Sequence, residues 1–114
     1  MLNQRCAVVT GGGRGIGREV ARDLAAAGAR VALAARTLSE VEAAAAEIRA
    51  RGGAALAVRA DVSRVEDVRA LFQQARAELG PVSILVSAAG IAPSATVVKT
   101  SDETWHQALE TNLS

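Results

Sequence analysis

A glycine cluster directly after a short apolar run is the part of the chain best suited to chemistry. The run Ala7-Val8-Val9-Thr10 leads into Gly11-Gly12-Gly13-Arg14-Gly15-Ile16-Gly17, and an amphipathic helical pattern follows. Glycine allows a sharp turn and lets a pyrophosphate come close to the main chain. The free N–H groups and the positive dipole end of the next helix would then hold the phosphate charge. The order of strand, turn and helix therefore predicts a nucleotide-binding turn.

The spacing of these glycines separates one kind of phosphate turn from another. Gly11, Gly15 and Gly17 leave three residues and then one residue between them, whereas the Rossmann fingerprint is spaced G-x-G-x-x-G. A Walker P-loop needs Gly-Lys-Ser/Thr, and the sole lysine of the sequence, Lys99, lies far away. The P-loop interpretation therefore fails, and a tight turn without a ligand is the remaining alternative.

The end of the second predicted strand bears on the choice of dinucleotide. An acidic residue there hydrogen-bonds the ribose 2′-OH of NAD, while arginine suits the 2′-phosphate of NADP. The strand ends Leu33-Ala34-Ala35-Arg36-Thr37 without a carboxylate, and Arg36 offers a charged, planar donor group. Arg14 could approach the same phosphate from the glycine turn. These residues favour NADP(H) over NAD(H); a solvated loop cation at Arg36 and a solubilising turn residue at Arg14 are the alternatives.

Composition limits the classes of protein and of partner. The 114 residues are 50% hydrophobic and 22% charged, with a formal net charge of +1, which fits one small globular domain. Such a charge argues against a nucleic-acid or membrane-surface partner. No signal sequence or membrane-spanning run is present, so a cytoplasmic protein is expected. Cys6 and His106 are each alone, so no disulfide and no metal site is expected.

Apolar runs and helix-capping patterns predict four strands that alternate with four helices. The strands are expected at 6–10, 30–35, 54–59 and 82–87. The capping boxes Thr37-x-x-Glu40, Ser63-x-x-Glu66 and Thr100-x-x-Glu103 open three of the helices. The helices are expected at 16–27, 38–51, 64–79 and from 101 through 109, with a loop over 88–99. The first helix should turn one apolar face, with Ile16, Val20, Leu24 and Ala27, toward the core.

This alternation predicts an α/β fold of the Rossmann type, with a doubly wound parallel sheet. Right-handed crossovers between parallel strands give the expected strand order 3-2-1-4. A ligand crevice is then expected at the carboxyl ends of strands 1 and 4, where the order reverses. The whole of residues 1–114 would be one NADP(H)-binding half domain.

The segment Thr10-Gly11-x-x-x-Gly15-Ile16-Gly17, so close to the N-terminus, resembles the short-chain dehydrogenase/reductase family. The resemblance implies cofactor binding by the turn and by a basic residue at Arg14 and at Arg36, which accompanies NADP(H) in that family. It also implies that Asp61-Val62 lies along the adenine, with the Asp61 carboxylate accepting from the exocyclic amine. The alternative is that Asp61 simply holds the turn before Ser63. The cofactor residues implied within the glycine turn are Gly11, Gly13, Arg14, Gly15, Ile16 and Gly17.

Two further segments are similar to those of the family. Ser87-Ala88-Ala89-Gly90 follows the fourth strand where the family usually has Asn-Asn-Ala-Gly, so backbone contacts of Ser87, Ala88, Ala89 and Gly90 to the cofactor are implied. Trp105 stands seven residues before Asn112, and the resemblance makes Asn112 the asparagine of a catalytic tetrad. A helix C-terminal residue is the alternative for Asn112.

The sequence contains no tyrosine, although the family uses a Tyr-x-x-x-Lys motif downstream of that asparagine. The expectation is an N-terminal fragment of an oxidoreductase that acts on a carbonyl or secondary alcohol. The tail resembles 3-oxoacyl-acyl-carrier-protein reductases, and this resemblance implies a 3-oxoacyl thioester as a candidate substrate. The fragment alone should be inactive, and the full-length protein a homo-oligomer, dimer or tetramer. The fourth strand should have a bare edge, which predicts marginal stability. A stand-alone dinucleotide-binding module without catalysis is the alternative.

Overall fold

Strands and helices alternate along the chain from its first strand to its fourth. The computed structural model describes residues 5–11 and 15–87 and the backbone of residues 96–99. The four predicted strands are confirmed with their predicted bounds, and the first three helices differ from prediction by no more than one residue at an end. The predicted helix after Thr100 lies outside the described residues. The elements are β1 (Cys6–Thr10), α1 (Gly15–Ala26), β2 (Arg30–Ala35), α2 (Leu38–Ala50), β3 (Ala54–Arg59), α3 (Val65–Leu79), β4 (Val82–Ser87) and β5 (Thr96–Lys99).

The strands form one sheet in the order β3-β2-β1-β4-β5. The contacts of β1 with β2 and β4, and of β2 with β3, are all parallel, so the predicted order 3-2-1-4 is confirmed. The connections from β1 to β2 and from β2 to β3 each lead to the next strand on the same side of β1. The connection from β3 to β4 crosses to the other side of β1. Since parallel crossovers are right-handed, this reversal sends α3 to the opposite face from α1 and α2.

Two apolar cores follow from that division of the helices. Successive side chains of a strand point to opposite faces, so β1 contributes Ala7 and Val9 to one core and Cys6 and Val8 to the other. The first core contains buried residues of α1 and α2, and the second contains those of α3. Cys6 is fully buried, as predicted for a core thiol. The buried residues of α3 are Val68, Leu71, Phe72, Ala75 and Leu79.

One residue of the predicted apolar face of α1 is not in the core. Ile16 was predicted to face inward together with Val20 and Leu24, but its side chain is 37% exposed. Val20 and Leu24 pack against the first core, while the fully buried positions of α1 are Gly17 and Ala21. The prediction for Ile16 is wrong because the first turn of α1 lies at the carboxyl edge of the sheet. It extends beyond the strand residues on which the rest of α1 packs.

The helix-capping patterns predict where α2 and α3 begin to within one residue, but the side-chain capping hydrogen bonds that they suggest for the N-cap residues are not formed. Thr37 is the N-cap of α2, as predicted, yet its side chain makes no capping hydrogen bond. The N-cap of α3 is Arg64 rather than Ser63. Ser63 instead donates its N–H and its hydroxyl to the carboxylate of Asp61. The Ser63 prediction is wrong: the Ser63 N–H, which a capping box would donate to Glu66, is donated to Asp61 instead, and Arg64 is the N-cap.

The predicted loop over 88–99 and the predicted bare edge of the fourth strand are both corrected by β5. The backbone of Thr96–Lys99 pairs antiparallel with β4, from Ile84 opposite Lys99 to Ser87 opposite Thr96. The backbone of β5 therefore pairs with the edge of β4 that faces away from β1. The inference of marginal stability from an uncovered β4 edge loses its basis.

A three-arginine cluster around Glu47 joins α1 to α2. Arg18 Nη2 lies 2.5 Å from Glu47 Oε2, and Arg22 Nη1 lies 2.6 Å from Oε1. Arg51 is more distant, at 3.8 Å. Hydrogen bonds from Arg22 and Arg18 lower the pKa of Glu47 from 4.5 to about 2. The carboxylate, with a side chain that is 24% exposed, is thus the electrostatic link between these two helices.

The lowered pKa of Glu47 predicts a pH-dependent contribution to stability. Because the folded-state pKa lies below the unfolded one, the contribution is fully present above about pH 4.5 and is lost as the pH falls toward about 2. Glu47→Gln should therefore be less stable than the unsubstituted chain at neutral pH, with a difference that shrinks over that interval. Urea unfolding midpoints measured across the interval test this.

Glu42→Gln is the matched control, since Glu42 is an exposed residue of the same helix. Its stability difference from the unsubstituted chain should be small and should change little with pH. A Glu47→Gln difference that stays constant from neutral pH to about pH 2 would contradict the assigned role of the cluster.

Candidate cofactor site

The parallel register brings the ends of the four parallel strands to one edge of the sheet. Thr10, the last residue of β1, is paired with Ala34 of β2 and with Ser87 of β4. On the far side of β2, Ala35 is paired with Arg59 of β3. The residues that follow these positions, among them the predicted site residues Gly11, Arg36 and Asp61, therefore lie along the same carboxyl edge.

The two described glycines at the ends of the turn after β1 have the backbone that was expected of them. Gly11 and Gly15 have φ values of 72° and 64°, in the left-handed region that favours glycine. The Gly11 N–H donates to the Ala34 carbonyl at 2.7 Å, and the buried Thr10 hydroxyl donates to the Val86 carbonyl at 3.4 Å. These bonds tie the start of the turn to the strands on both sides. The predicted site residues Gly13 and Arg14 lie outside the described residues.

Gly15 and Gly17 have different surroundings. A Cβ atom placed on Gly15 would meet no described atom within 4 Å, so no described side chain covers the first residue of α1. Gly17 is buried, which suits a glycine that lets the helix pack closely on the sheet. Ile16 lies between them and is exposed. The residues therefore fit a pyrophosphate approaching the backbone at Gly15, next to the positive end of the α1 dipole.

Arg36 and Asp61 lie at the ends of the neighbouring strands β2 and β3. The Ala60 N–H donates to the Ala35 carbonyl at 2.9 Å, so the backbones of the two strands are still joined at this point. Arg36 is exposed, and its charge is close enough to help lower the pKa of Asp61. The edge thus presents a cation beside a carboxylate, with no acidic residue at the end of β2.

The environment of Asp61 keeps its carboxylate ionised. Asp61 Oδ1 accepts from the Ser63 hydroxyl at 2.6 Å and from the Ser63 N–H at 3.0 Å. These two bonds are the main causes of a pKa below the ordinary value of 3.8, and the charges of Arg36 and Arg64 act in the same direction. The bonds to Ser63 confirm the turn-holding role that was the alternative for Asp61. Its contact with adenine stays a prediction.

Asp67 is a residue of this site that the sequence did not reveal. Its Oδ2 accepts from the Asp61 N–H at 2.9 Å. The sequence pattern assigned the third helical position to Glu66, because Ser63 was expected to be the N-cap. With Arg64 as the observed N-cap, Asp67 takes that position. An acidic residue in the first turn of a helix was the available signal.

The remaining predicted site residues divide between described and undescribed parts of the chain. Val62 is half-buried and packs against the core that contains α3, and Ser87 is exposed at the end of β4. No group of three or more metal-ligating side chains occurs in residues 5–11 and 15–87. No helix within the described ranges is long and apolar enough to cross a membrane. Ala88, Ala89, Gly90 and Asn112 lie outside the described residues.

A parallel sheet whose order reverses beside a glycine turn defines a Rossmann-type fold, in which ligands bind at the carboxyl edge. A family model for short chain dehydrogenases matches residues 5–114, and the chain belongs to this family. The chain is 43% identical over 112 residues to the 3-oxoacyl-[acyl-carrier-protein] reductase of Mus musculus, a match that covers 98% of this chain and 46% of the relative. The chain thus spans less than half of that protein's length.

Solved structures with the same fold contain either nicotinamide cofactor. A 7α-hydroxysteroid dehydrogenase in complex with NADH and 7-oxo glycochenodeoxycholic acid has a TM-score of 0.72 and 38% identity, covering 74% of this chain and 33% of that one. A blue fluorescent protein from a metagenomic library, in complex with NADPH, has a TM-score of 0.69 and 41% identity, covering 74% and 35%. The two similar proteins differ in cofactor, so their likeness alone does not choose one for this chain.

The open, left-handed backbone at Gly15 predicts that Gly15→Ala separates folding from ligand binding. A left-handed φ costs a residue with a Cβ about 1–2 kcal/mol, so the free energy of unfolding should fall by about that amount. The added methyl group would also enter the space expected for phosphate, and NADPH binding should weaken by more than the loss of folded protein explains. Urea unfolding and calorimetric titration with NADPH measure the two effects.

Gly52→Ala is the matched control. Gly52 has a φ of +87° and also has no described atom within 4 Å of an added Cβ, but it follows the C-terminus of α2, away from the carboxyl edge. It should lower stability by a similar amount and leave NADPH affinity unchanged. Equal NADPH affinities of the two variants would exclude a phosphate contact at Gly15.

Proposed function

We propose that the protein is an NADP(H)-dependent oxidoreductase acting on a carbonyl or secondary alcohol substrate. The observation that carries this proposal is the placement of Gly15, Arg36 and Asp61 along one edge of the sheet, with an exposed arginine at the end of β2. When bound, the nicotinamide cofactor supplies the hydride chemistry. The described residues would bind and orient the adenosine and phosphate parts of that cofactor.

The glycine turn would bind the pyrophosphate. The left-handed backbone at Gly11 and Gly15 and the absence of described atoms above Gly15 support a close approach to the main chain. The N–H groups at the start of α1 and the helix dipole would stabilise the negative charge. The bonds of Gly11 and Thr10 to neighbouring strands hold the start of the turn in place without the ligand, which would lower the entropy lost on binding.

Arg36 would select the 2′-phosphate. It is exposed at the point where an acidic side chain would accept a bond from the ribose 2′-OH of NAD. A carboxylate at that point would repel a 2′-phosphate, whereas a guanidinium can donate two parallel hydrogen bonds to it. Arg14 is proposed to contribute a second positive charge. NAD(H) is the less favoured cofactor.

Catalysis would require the longer protein. The chain contains no tyrosine, so the proposed proton donor would come from a Tyr-x-x-x-Lys motif encoded downstream, with Asn112 supporting the proton relay. The proposed substrate class is a carbonyl compound such as a 3-oxoacyl thioester, and the full-length protein is proposed to be a cytoplasmic homo-oligomer. The absence of tyrosine also favours a second candidate, a dinucleotide-binding module without turnover. Sequencing the downstream coding region distinguishes the two, since a module would lack the motif.

The role of Arg36 predicts that Arg36→Asp changes the cofactor preference. Loss of charge-assisted hydrogen bonds to the 2′-phosphate costs about 1.5–3 kcal/mol, so NADPH affinity should fall about tenfold to a hundredfold. NADH affinity should rise or stay the same, because aspartate can accept from the 2′-OH. Dissociation constants for both cofactors, measured by calorimetry, give the result.

Arg5→Asp is the control for net charge. Arg5 is exposed and precedes β1 at the amino edge of the sheet, so the same charge change there should leave the ratio of NADPH to NADH affinity unaltered. If Arg36→Asp leaves NADPH affinity unchanged, the assignment of NADP(H) is wrong. A parallel change in both variants would instead reveal a general electrostatic effect.

A further inference from the structure

Asp67 binds the backbone of a site residue and not its side chain. Asp67 lies in the first turn of α3, and its Oδ2 accepts from the Asp61 N–H at 2.9 Å in a partly buried position. The bond spans six residues and closes the connection between β3 and α3. Because Asp61 comes after the last residue of β3, its N–H is beyond the parallel ladder with β2, and the Asp67 carboxylate takes the place of a strand partner.

Three other hydrogen bonds of this connection converge on Asp61. The Arg64 N–H donates to the Asp61 carbonyl at 2.9 Å, and both Ser63 donors bind Asp61 Oδ1. The N–H, the carbonyl and one carboxylate oxygen of Asp61 are therefore all engaged. Among the described residues, Asp61 Oδ2 has no hydrogen bond, so it is the oxygen available to a ligand.

The Asp67 bond holds the peptide that precedes the Asp61 carboxylate, while the Ser63 bonds hold its Oδ1. The peptide that ends in the Asp61 N–H is the pivot between the strand and the turn, since the preceding Ala60 N–H is already bound to Ala35 of β2. Without an acceptor at Asp67, this N–H would lose the partner that it has in the structure, and a rotation of the peptide would carry the Asp61 side chain with it. A buried or half-buried N–H without a partner is also unfavourable, which gives the rotation a driving force toward solvent.

We propose that Asp67 is a positioning residue for base recognition, in that it aims the Asp61 carboxylate at the exocyclic amine of adenine. This inference rests on the proposed function, in which Asp61 lies along the adenine. In this proposal Asp67 acts through the backbone of Asp61, to which its Oδ2 is bound, and not through a contact of its own with the cofactor. Its effect should consequently appear in the choice between bases and not as a general loss of affinity.

The test compares NADPH with nicotinamide hypoxanthine dinucleotide phosphate. The two cofactors share the phosphates, both riboses and the nicotinamide, but the second has a carbonyl oxygen where adenine has its amine. A carboxylate can accept from the amine and is repelled by the carbonyl. One hydrogen bond to a charged group gives a preference of about tenfold for NADPH in the unsubstituted chain.

Asp67→Ala should reduce that preference to about twofold or less, whereas Asp67→Asn, which keeps a carbonyl acceptor for the Asp61 N–H, should retain most of it. Glu66→Ala is the matched control, since Glu66 is an exposed neighbour in the same helical turn, and its preference should match the unsubstituted chain. Calorimetric titration of the full chain gives each ratio. Partial unfolding weakens both affinities by the same factor, so the ratio stays interpretable.

The outcomes separate the inference from the function on which it rests. If the unsubstituted chain binds neither cofactor, the proposed function fails. If it binds both equally, the adenine contact of Asp61 fails, and the inference about Asp67 fails with it. If the unsubstituted chain prefers NADPH and Asp67→Ala keeps the same preference, the positioning role of Asp67 is wrong. If Asp67→Ala binds neither cofactor, Asp67→Glu is the second variant, because it moves the carboxylate by one methylene group. Asp67→Glu is expected to show the same reduced preference for NADPH. An unreduced preference in Asp67→Glu also overturns the inference.

Discussion

The parallel pairing of β1 with both β2 and β4 is the constraint on which the candidate site depends. It places Thr10 beside Ala34 on one side and beside Ser87 on the other, so the strand ends share one edge. Because right-handed crossovers must pass on opposite faces where the strand order reverses, α1 and α3 diverge at this point. The glycine turn of β1 lies directly at the divergence, and the residues after β2 and β3 extend the same edge.

Polar interactions add precision to an arrangement that apolar packing has already established. The two cores hold the helices against the sheet, but apolar contact is not directional. The Glu47 cluster joins α1, which begins at the glycine turn, to α2, which begins just after Arg36. The bonds around Asp61 likewise orient the turn before α3. Each helix that borders the candidate site is therefore tied to its neighbour or to a strand end by a carboxylate.

The two edges of the sheet are different. The central strands β1 and β2 are almost completely buried, as expected for parallel strands with helices on both faces. At one edge β3 is half-exposed along most of its length. At the other, β5 adds an antiparallel partner to β4 and protects hydrogen-bonding groups that would otherwise invite association with another chain. The antiparallel strand thus extends the sheet beyond the β4 edge that the βα repeats alone leave open.

Local signals in the sequence determined the four strands, the first three helices, the strand order and the position of Gly11, Gly15, Arg36 and Asp61 after strand ends. Apolar runs, glycines and caps act within a few residues, so they are readable without the fold. The tertiary structure alone decided the pairing of Thr96–Lys99 with β4, the exposure of Ile16, the arginines around Glu47 and the bond from Asp67 to Asp61. The physical reason is that these features depend on which groups meet in space. Arg22 and Glu47 are 25 residues apart. Even the nearby Asp67 was not identified, because Ser63, the expected N-cap, binds Asp61 instead.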